Sequence, residues 1–374
     1  MSGHRVTLIP GDGIGPEVIE AARRVLEATG VAFDWNVQMV GAPALEKFGT
    51  PLPDSVVASV VEHGVALKGP VSTPVGKGFP SVNVALRKAS GLYANLRPCR
   101  SFDGVPSPFR NVDVVVVRDV TEDCYQGLEL AAESLEANEL IAKLGALIPG
   151  AAIAAGSGIT VKTISFEASR RVVELAADHA RKSGRTHVTA VHKAGVMKRT
   201  DGIFLEAARE VAARHPDIEF DDMNVDAACA ALVRHPESFQ VLVMPMQYGD
   251  ILSDLAGGLV GGPGMVPGVA VGTKAALFEP GHGSAPRHAG KDCVNPTATM
   301  LSGAMMLRHL GETAAADRLE WAIAAVIAEG RAVTYDMILG RNGAHAVGTA
   351  AMADAVIAHL NSGESQYASR LPAP

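Results

Sequence analysis

Three arginines and one short polar stretch are the first groups in this chain that could do chemistry. Ser81 opens the run Ser81-Val82-Asn83-Val84-Ala85-Leu86-Arg87, where a serine can cap a helix N-terminus. Asn83 and Arg87 would then share one helical face, beside a helix end that favours anions. Arg97 follows, and Arg118 closes the apolar run Val112–Val117. Guanidinium binds carboxylate bidentately, so together these groups suit a substrate with several carboxylates. Taken singly, each arginine reads as a solvated surface residue. Asp250 and Asp254, in Asp250-Ile251-Leu252-Ser253-Asp254, fall at i and i+4 on one helical face. Their repulsion costs roughly a few tenths of a kcal/mol. A hard divalent cation would offset it, and all-oxygen ligation favours Mg²⁺ or Mn²⁺. The alternative is an aspartate supporting the helix dipole, with Asp254 merely solvated. The small-residue loop His282-Gly283-Ser284-Ala285-Pro286, with Asn295-Pro296 beyond it, allows close backbone approach to a planar or phosphorylated ligand, or is a plain surface loop.

These groups need elements to hold them. Apolar strand-like runs alternate with helical patterns over most of the length, which predicts an α/β protein with a largely parallel sheet. Arg5–Ile9 reads as a buried strand. Gly11–Gly15 follows with G-x-G-x-G spacing, not G-x-G-x-x-G, so it reads as a tight strand-to-helix turn rather than a dinucleotide fingerprint. Pro16 suits a first helical position, and Gly30 stops that helix. Val188–Val191 and Gln240–Met244 are further strands, and Ile203–Arg214 is amphipathic. The Ala- and Gly-rich segment Ala131–Gly158 reads as an arm or insertion, and the chain from Asn361 onward as a frayed tail.

A chain of 374 residues with 48% hydrophobic and 20% charged residues can bury sizeable cores in two or three domains. The net charge of −7 argues against a nucleic-acid-binding surface but allows a local cationic pocket for a small anion. No apolar run approaches the roughly 18 residues of a membrane span, and no secretory leader is visible. Cys99, Cys124, Cys229 and Cys293 are scattered without a C-x-x-C pair. A disulfide or zinc framework is therefore not expected, and the chain is expected in a reducing cytoplasm.

Taken in order, the motifs G-D-G-I-G-P-E (Gly11–Glu17), L-K-G-P-V-S-T-P (Leu67–Pro74), S-V-N-V-A-L-R (Ser81–Arg87) and L-Y-A-N-L-R-P (Leu92–Pro98) resemble the isocitrate/isopropylmalate dehydrogenase family. V-H-K-A (Val191–Ala194), Y-G-D-I-L-S-D (Tyr248–Asp254), H-G-S-A-P (His282–Pro286) and N-P-T-A (Asn295–Ala298) continue it, from residue 5 to about 360. The resemblance implies that family's α/β two-domain fold, which is not a Rossmann fold. A discontinuous large domain would take residues 1–95 and 260–360, a small domain 96–259 with a dimer arm around 126–165, and a flexible tail 361–374. It implies an NAD(P)-dependent, Mg²⁺- or Mn²⁺-dependent oxidative decarboxylation of a 2-hydroxy acid in a homodimer with shared sites.

By resemblance, Ser81, Asn83, Arg87, Arg97 and Arg118 bind the polycarboxylate substrate. Asp250 and Asp254, with Asp226 from the other protomer, hold the metal. Lys193, also from the other protomer, takes the hydroxyl proton, and Tyr125 returns a proton after CO₂ leaves. Thr73, Glu279, His282, Gly283, Ser284, Ala285, Arg287, His288, Asn295 and Tyr335 are the implied cofactor residues. Ser81 and Asn83 are the isocitrate-like pair, and Lys77 is a weak echo of the extra arginine of homoisocitrate enzymes. Arg287-His288 stands where NAD-dependent members carry Asp, and Tyr335 matches a phosphate-binding tyrosine, so NADP is expected before NAD. The chain departs from the family at Val120, Gly195 and Met246, each in place of a usual asparagine. That pattern keeps other substrates open: an isocitrate analogue, homoisocitrate, 3-isopropylmalate, D-malate or tartrate. A non-catalytic regulatory subunit is a further alternative, although Tyr125, Lys193, Asp226, Asp250 and Asp254 are all present.

Overall fold

A computed structural model describes residues 3–74, 78–150, 152–338 and 345–362. Lys77 and the tail beyond Ser362 lie outside these residues. The strands are β1 (His4–Ile9), β2 (Phe33–Val37), β3 (Val65–Lys68), β4 (Leu92–Arg100), β5 (Asp113–Asp119) and β6 (Glu129–Leu130). They continue with β7 (Ile159–Thr160), β8 (His187–His192), β9 (Glu219–Asn224), β10 (Val241–Met244), β11 (Pro267–Gly272) and β12 (Ala276–Pro280). The helices are α1 (Gly15–Ala28), α2 (Ala42–Phe48), α3 (Asp54–His63), α4 (Val82–Ala89), α5 (Leu135–Leu147) and α6 (Phe166–Lys182). Then come α7 (Asp201–Arg214), α8 (Val225–Arg234), α9 (Met246–Leu259), α10 (Thr297–His309), α11 (Thr313–Glu329) and α12 (Thr349–Ser362).

Ten strands form one sheet in the order β2-β1-β3-β12-β11-β4-β5-β10-β8-β9. Both flanks are parallel, and the centre is not: β11 runs antiparallel to β12 and β4, and β4 antiparallel to β5. The wholly buried strands explain the placing of the flanks. Val114–Val117 of β5 and Val241–Met244 of β10 are each at most 1% exposed, as expected for strands covered on both faces. Amphipathic α6 supplies part of that cover with Val172, Val173 and Ala176, while α1 buries Val18, Ile19, Val25 and Leu26 and packs against α10 and α12. On the other face, α3 and α4 close a smaller cluster of Val56, Val60, Val82 and Leu86 over Ile9, Ala66 and Leu277.

The Gly11–Gly15 turn joins β1 to α1 as a tight turn. Ile14 N donates to Ser284 O at 2.9 Å, and a Cβ on Gly13 (φ +60°) would stand 2.1 Å from that same oxygen. The turn is therefore glycine because another loop packs onto it. The described residues of the segment 131–158 carry α5, and the small β6–β7 ribbon bounds them. No helix among the described residues is long and apolar enough to cross a membrane.

Candidate active site

The local rules that start α4 and α9 aim the polar groups. Ser81 caps α4, its Oγ accepting from Val84 N at 3.4 Å. Asn83 and Arg87 then project from one side of that helix. Arg97 on β4 lies opposite Val116 of β5, and Arg118, at the end of β5, lies opposite Asn95 and Met244. α9 begins directly after β10 and carries Asp250 and Asp254 past both arginines. Gly249 makes this possible: a Cβ there would fall 2.3 Å from the Arg118 Cβ. The Y-G-D glycine is the one residue that lets the guanidinium lie against the helix.

These side chains line one cavity of about 700 Å³. Thr73, Ser81, Asn83, Arg87, Arg97 and Arg118 contribute, as do Tyr125 and Asp250. Four cationic side chains (Arg87, Lys88, Arg97, Arg118) line it against two acidic ones (Glu129, Asp250), in a chain whose net charge is −7. Arg87 and Arg97 are each 11% exposed and Arg118 is 4% exposed in their side chains. Arg118 Nη1 lies 2.7 Å from Asp250 Oδ1, and Arg97 Nη1 donates to Asp254 Oδ1 at 3.0 Å and Ser253 Oγ at 2.8 Å. Burial and the neighbouring Arg97 pull the Arg118 guanidinium down to about 9, with Asp250 opposing them. Among the described residues the buried Nε groups of Arg87 and Arg118 have no hydrogen-bond partner. Buried donors of this kind call for an anion.

Tyr125 belongs to the short 3₁₀ turn Cys124–Gln126 and opens onto the same cavity. Burial and then the Asp250 carboxylate raise its phenol above the ordinary tyrosine range, so it is protonated at neutral pH. Lys193 and Asp226 are not among the groups lining this cavity. They form a close ion pair with each other elsewhere on the chain, and the Lys193 donor holds the Asp226 carboxyl below its usual range. No group of three His, Cys, Asp or Glu among the described residues could hold a metal. Asp250 and Asp254 offer two hard oxygen donors, which fits part of a Mg²⁺ or Mn²⁺ site that a further carboxylate must complete.

The cofactor candidates divide. Ser284 is buried, and its Oγ meets Ser72 Oγ at 2.7 Å, which ties the His282–Ala285 loop to Asp12 through Ser72. His282 Nδ1 faces Gly283 O at 3.0 Å, leaving Nε2 buried without a partner, while Gly283 is open to a ligand. Such a loop fits a planar dinucleotide group. Arg287 is exposed, and the His288 ring lies parallel to Tyr335, 6.1 Å apart with a 15° interplanar angle. Asn295 turns inward instead, donating to Asp336 Oδ2 at 2.9 Å and accepting from Thr297 N. Glu279 is 5% exposed and sits between Lys68, at 2.9 Å, and Arg87. Burial by itself would raise its carboxyl, but the two cations overcome this and hold it far below the carboxylate range. Lys68, its buried counter-ion, was not expected from sequence; the only signal was a lysine closing the apolar strand Val65-Ala66-Leu67.

The family model for isocitrate/isopropylmalate dehydrogenase matches residues 5–356. The chain belongs to that family. It is accordingly a decarboxylating dehydrogenase of 2-hydroxy acids with the fold expected from its motifs. It is 46% identical to the crystal structure of isocitrate dehydrogenase from Methylococcus capsulatus, covering 96% of this chain and all of that one, with a TM-score of 0.87. It is 44% identical over 336 residues to the alpha chain of a probable mitochondrial isocitrate dehydrogenase (NAD) of Drosophila melanogaster, covering 89% of this chain and 83% of that protein. A mitochondrial regulatory subunit of isocitrate dehydrogenase (NAD) from Dictyostelium discoideum is 41% identical, with 89% and 87% covered. The expectation of a cytoplasmic protein is overturned by the Drosophila and Dictyostelium relatives, which are named as mitochondrial. Unpaired thiols report a reducing compartment and do not distinguish cytosol from organelle interior.

Proposed function

We propose that this enzyme oxidatively decarboxylates isocitrate, or a 2-hydroxy acid closely like it, to the 2-oxo acid and CO₂. The observation that carries this is the convergence of three nearly buried guanidiniums on one cavity that also holds Tyr125 and Asp250. Arg87, Arg97 and Arg118 bind the carboxylates, and Ser81 and Asn83 orient the third. Asp250 and Asp254 are the metal donors of this chain, and Asp226 and Lys193 act in the cavity of a second copy. That Lys193 and Asp226 are not among the residues lining the cavity of their own chain supports this reading. When bound, the divalent cation supplies Lewis acidity at the substrate's 2-oxygen. Lys193 accepts the 2-hydroxyl proton, and Tyr125, held protonated, donates to the carbon that loses CO₂.

The homodimer reading is supported by the apolar side chains exposed along the arm: Leu128, Leu135, Leu147 and Ile148 are 48–77% exposed. The chain divides on this reading into residues 1–95 with 260–360, and 96–259, with the cavity between them. For the cofactor, the exposed Arg287 and the His288–Tyr335 pair suit a 2′-phosphate, so NADP is placed before NAD, although the relatives above are named for NAD. A second substrate reading has its own support. Val120 and Met246 line the cavity as apolar groups, 8% and 4% exposed, where the family carries asparagine, which suits an isocitrate analogue.

The test is reduced-nicotinamide formation by the purified chain with isocitrate and Mn²⁺, using NADP⁺ and NAD⁺ in parallel. Turnover abolished by chelator is the expected result. Silence with isocitrate but turnover with another 2-hydroxy acid moves the assignment to that acid. Silence across the panel from a folded dimer overturns the catalytic reading in favour of a regulatory subunit.

A further inference from the structure

At the start of the Tyr125 turn lies a buried charge cluster that the reaction itself does not use. Asp123 and Asp201 have fully buried side chains, and Lys162, just after β7, reaches both: its Nζ lies 2.9 Å from Asp201 Oδ1 and 3.5 Å from Asp123 Oδ1. Among the described residues no other cation lies within ion-pair distance of either carboxylate. The same ammonium stands 4.7 Å from the centroid of the Tyr248 ring, over its π face.

Each carboxylate spends its remaining acceptors on backbone at a candidate catalytic segment. Asp123 Oδ1 accepts from Cys124 N at 2.8 Å, the residue before Tyr125, and Asp123 Oδ2 accepts from Gln247 N at 2.9 Å in the first turn of α9. Asp123 itself is a non-glycine residue at φ +73°, a conformation that persists only where its surroundings enforce it. Asp201 Oδ2 accepts from Lys193 N at 2.7 Å, and burial together with the Asp201 carboxylate pushes the Tyr248 phenol up. On the far side of Lys193, His192 Nδ1 accepts from Ala194 N at 3.0 Å, and its Nε2 faces Asp222 at 3.1 Å. One ammonium therefore balances two carboxylates that fix the backbone at the segments carrying Tyr125 and Lys193. Removing it would leave two uncompensated buried charges, which relax by moving the chain they hold.

We propose that Lys162 is a positioning residue that sets the Tyr125 and Lys193 segments together through Asp123 and Asp201. The inference rests on the reading of Tyr125 as acid and Lys193 as base. Where Lys193 serves the second copy's cavity, Lys162 ties the residues a chain gives to its own site to those it gives away.

The experiment compares the wild-type dimer with Lys162→Met, Lys162→Arg and Tyr248→Phe by amide hydrogen exchange and steady-state kinetics. Lys162→Met should raise exchange at Cys124, Gln247 and Lys193 together, while Ala190 inside β8 stays protected. Tyr248→Phe, which keeps the ring under Lys162 and loses only the hydroxyl that Asp201 acts on, should loosen Lys193 and leave Cys124 protected. Lys162→Met should lower kcat about a hundredfold, the scale of a small misplacement, with KM changed less than about twofold. Lys162→Arg should recover most of the loss. Loosening of one segment alone in Lys162→Met, or unchanged kcat, overturns the proposal. Should Lys162→Met fail to fold, Lys162→Gln is read by the same criteria. A wild-type dimer without turnover on any 2-hydroxy acid defeats the proposed function, and the exchange pattern then still decides whether Lys162 holds both segments.

Discussion

Lys68, Glu279 and Arg87 form one buried charge cluster of the molecule; Lys162, Asp123 and Asp201 form another. The first holds two cations to one carboxylate, the second two carboxylates to one cation. The surplus of each goes where the chemistry needs it. In the first, Arg87 keeps an unpartnered Nε and faces the cavity, so the excess positive charge is offered to a polyanion. In the second, the spare lone pairs accept backbone N–H groups and fix the chain. A buried charge is tolerable only when paired or hydrogen-bonded, and the two clusters meet that requirement with a ligand in one case and with backbone in the other. The cationic cluster should therefore govern substrate binding, and the anionic one proton transfer.

The largest effect separates these roles. Tyr125→Phe removes the proposed proton donor, in the turn that Asp123 of the anionic cluster caps, and should lower kcat by about 10²–10⁴ with little change in KM, read by steady-state kinetics. Retained kcat would give the proton to another group and break the division of labour. Next, Glu279→Gln strips the shared carboxylate from Lys68 and Arg87 and should cost about 3–5 kcal/mol in denaturant unfolding. A neutral outcome would mean the two cations repel less than their burial implies.

Arg87→Lys keeps the charge but loses the planar fork, so KM should rise about tenfold with kcat nearly unchanged. A kcat loss instead would place Arg87 on the proton-transfer side. The smallest effect is with acid. Glu279 has a lowered folded-state pKa, so its contribution to stability is complete above its ordinary value of 4.5 and is lost as pH falls below that toward the folded value. Unfolding free energy measured from pH 6 downward should fall in the wild type, and less steeply in Glu279→Gln.

The flanks of the sheet were legible because β1, β5, β8 and β10 are short apolar runs bounded by turn residues. Its centre was not. β4 carries Asn95, Arg97, Pro98 and Arg100, and the apolar stretches of β11 and β12 are short and bounded by Pro267, Gly268 and Pro280, so they do not read as strands. They are strands because the sheet on either side pairs with them. Ser81, Asn83, Arg87, Arg97 and Arg118 read as a carboxylate site and Asp250 as a metal donor, since their types and their helix-start or strand-end positions carry the chemistry locally, and the fold brings all six to one cavity. Asn295 and Glu279 show the limit of motif reasoning. The resemblance assigns both to the cofactor, and in the fold Asn295 bonds Asp336 and Thr297 while Glu279 pairs with Lys68 and Arg87.

The sequence by itself determined the family, the alternation of strands and helices, and which groups could bind carboxylates, metal and dinucleotide. Periodicity, caps and side-chain chemistry are properties of neighbouring residues. Only the tertiary structure decided which charges are buried and what they hold. Lys68 meets Glu279, and Lys162 meets Asp123 and Asp201, across segments that only the folded sheet brings together. The energy of a charge depends on its burial and its partners, and neither exists until the chain has packed.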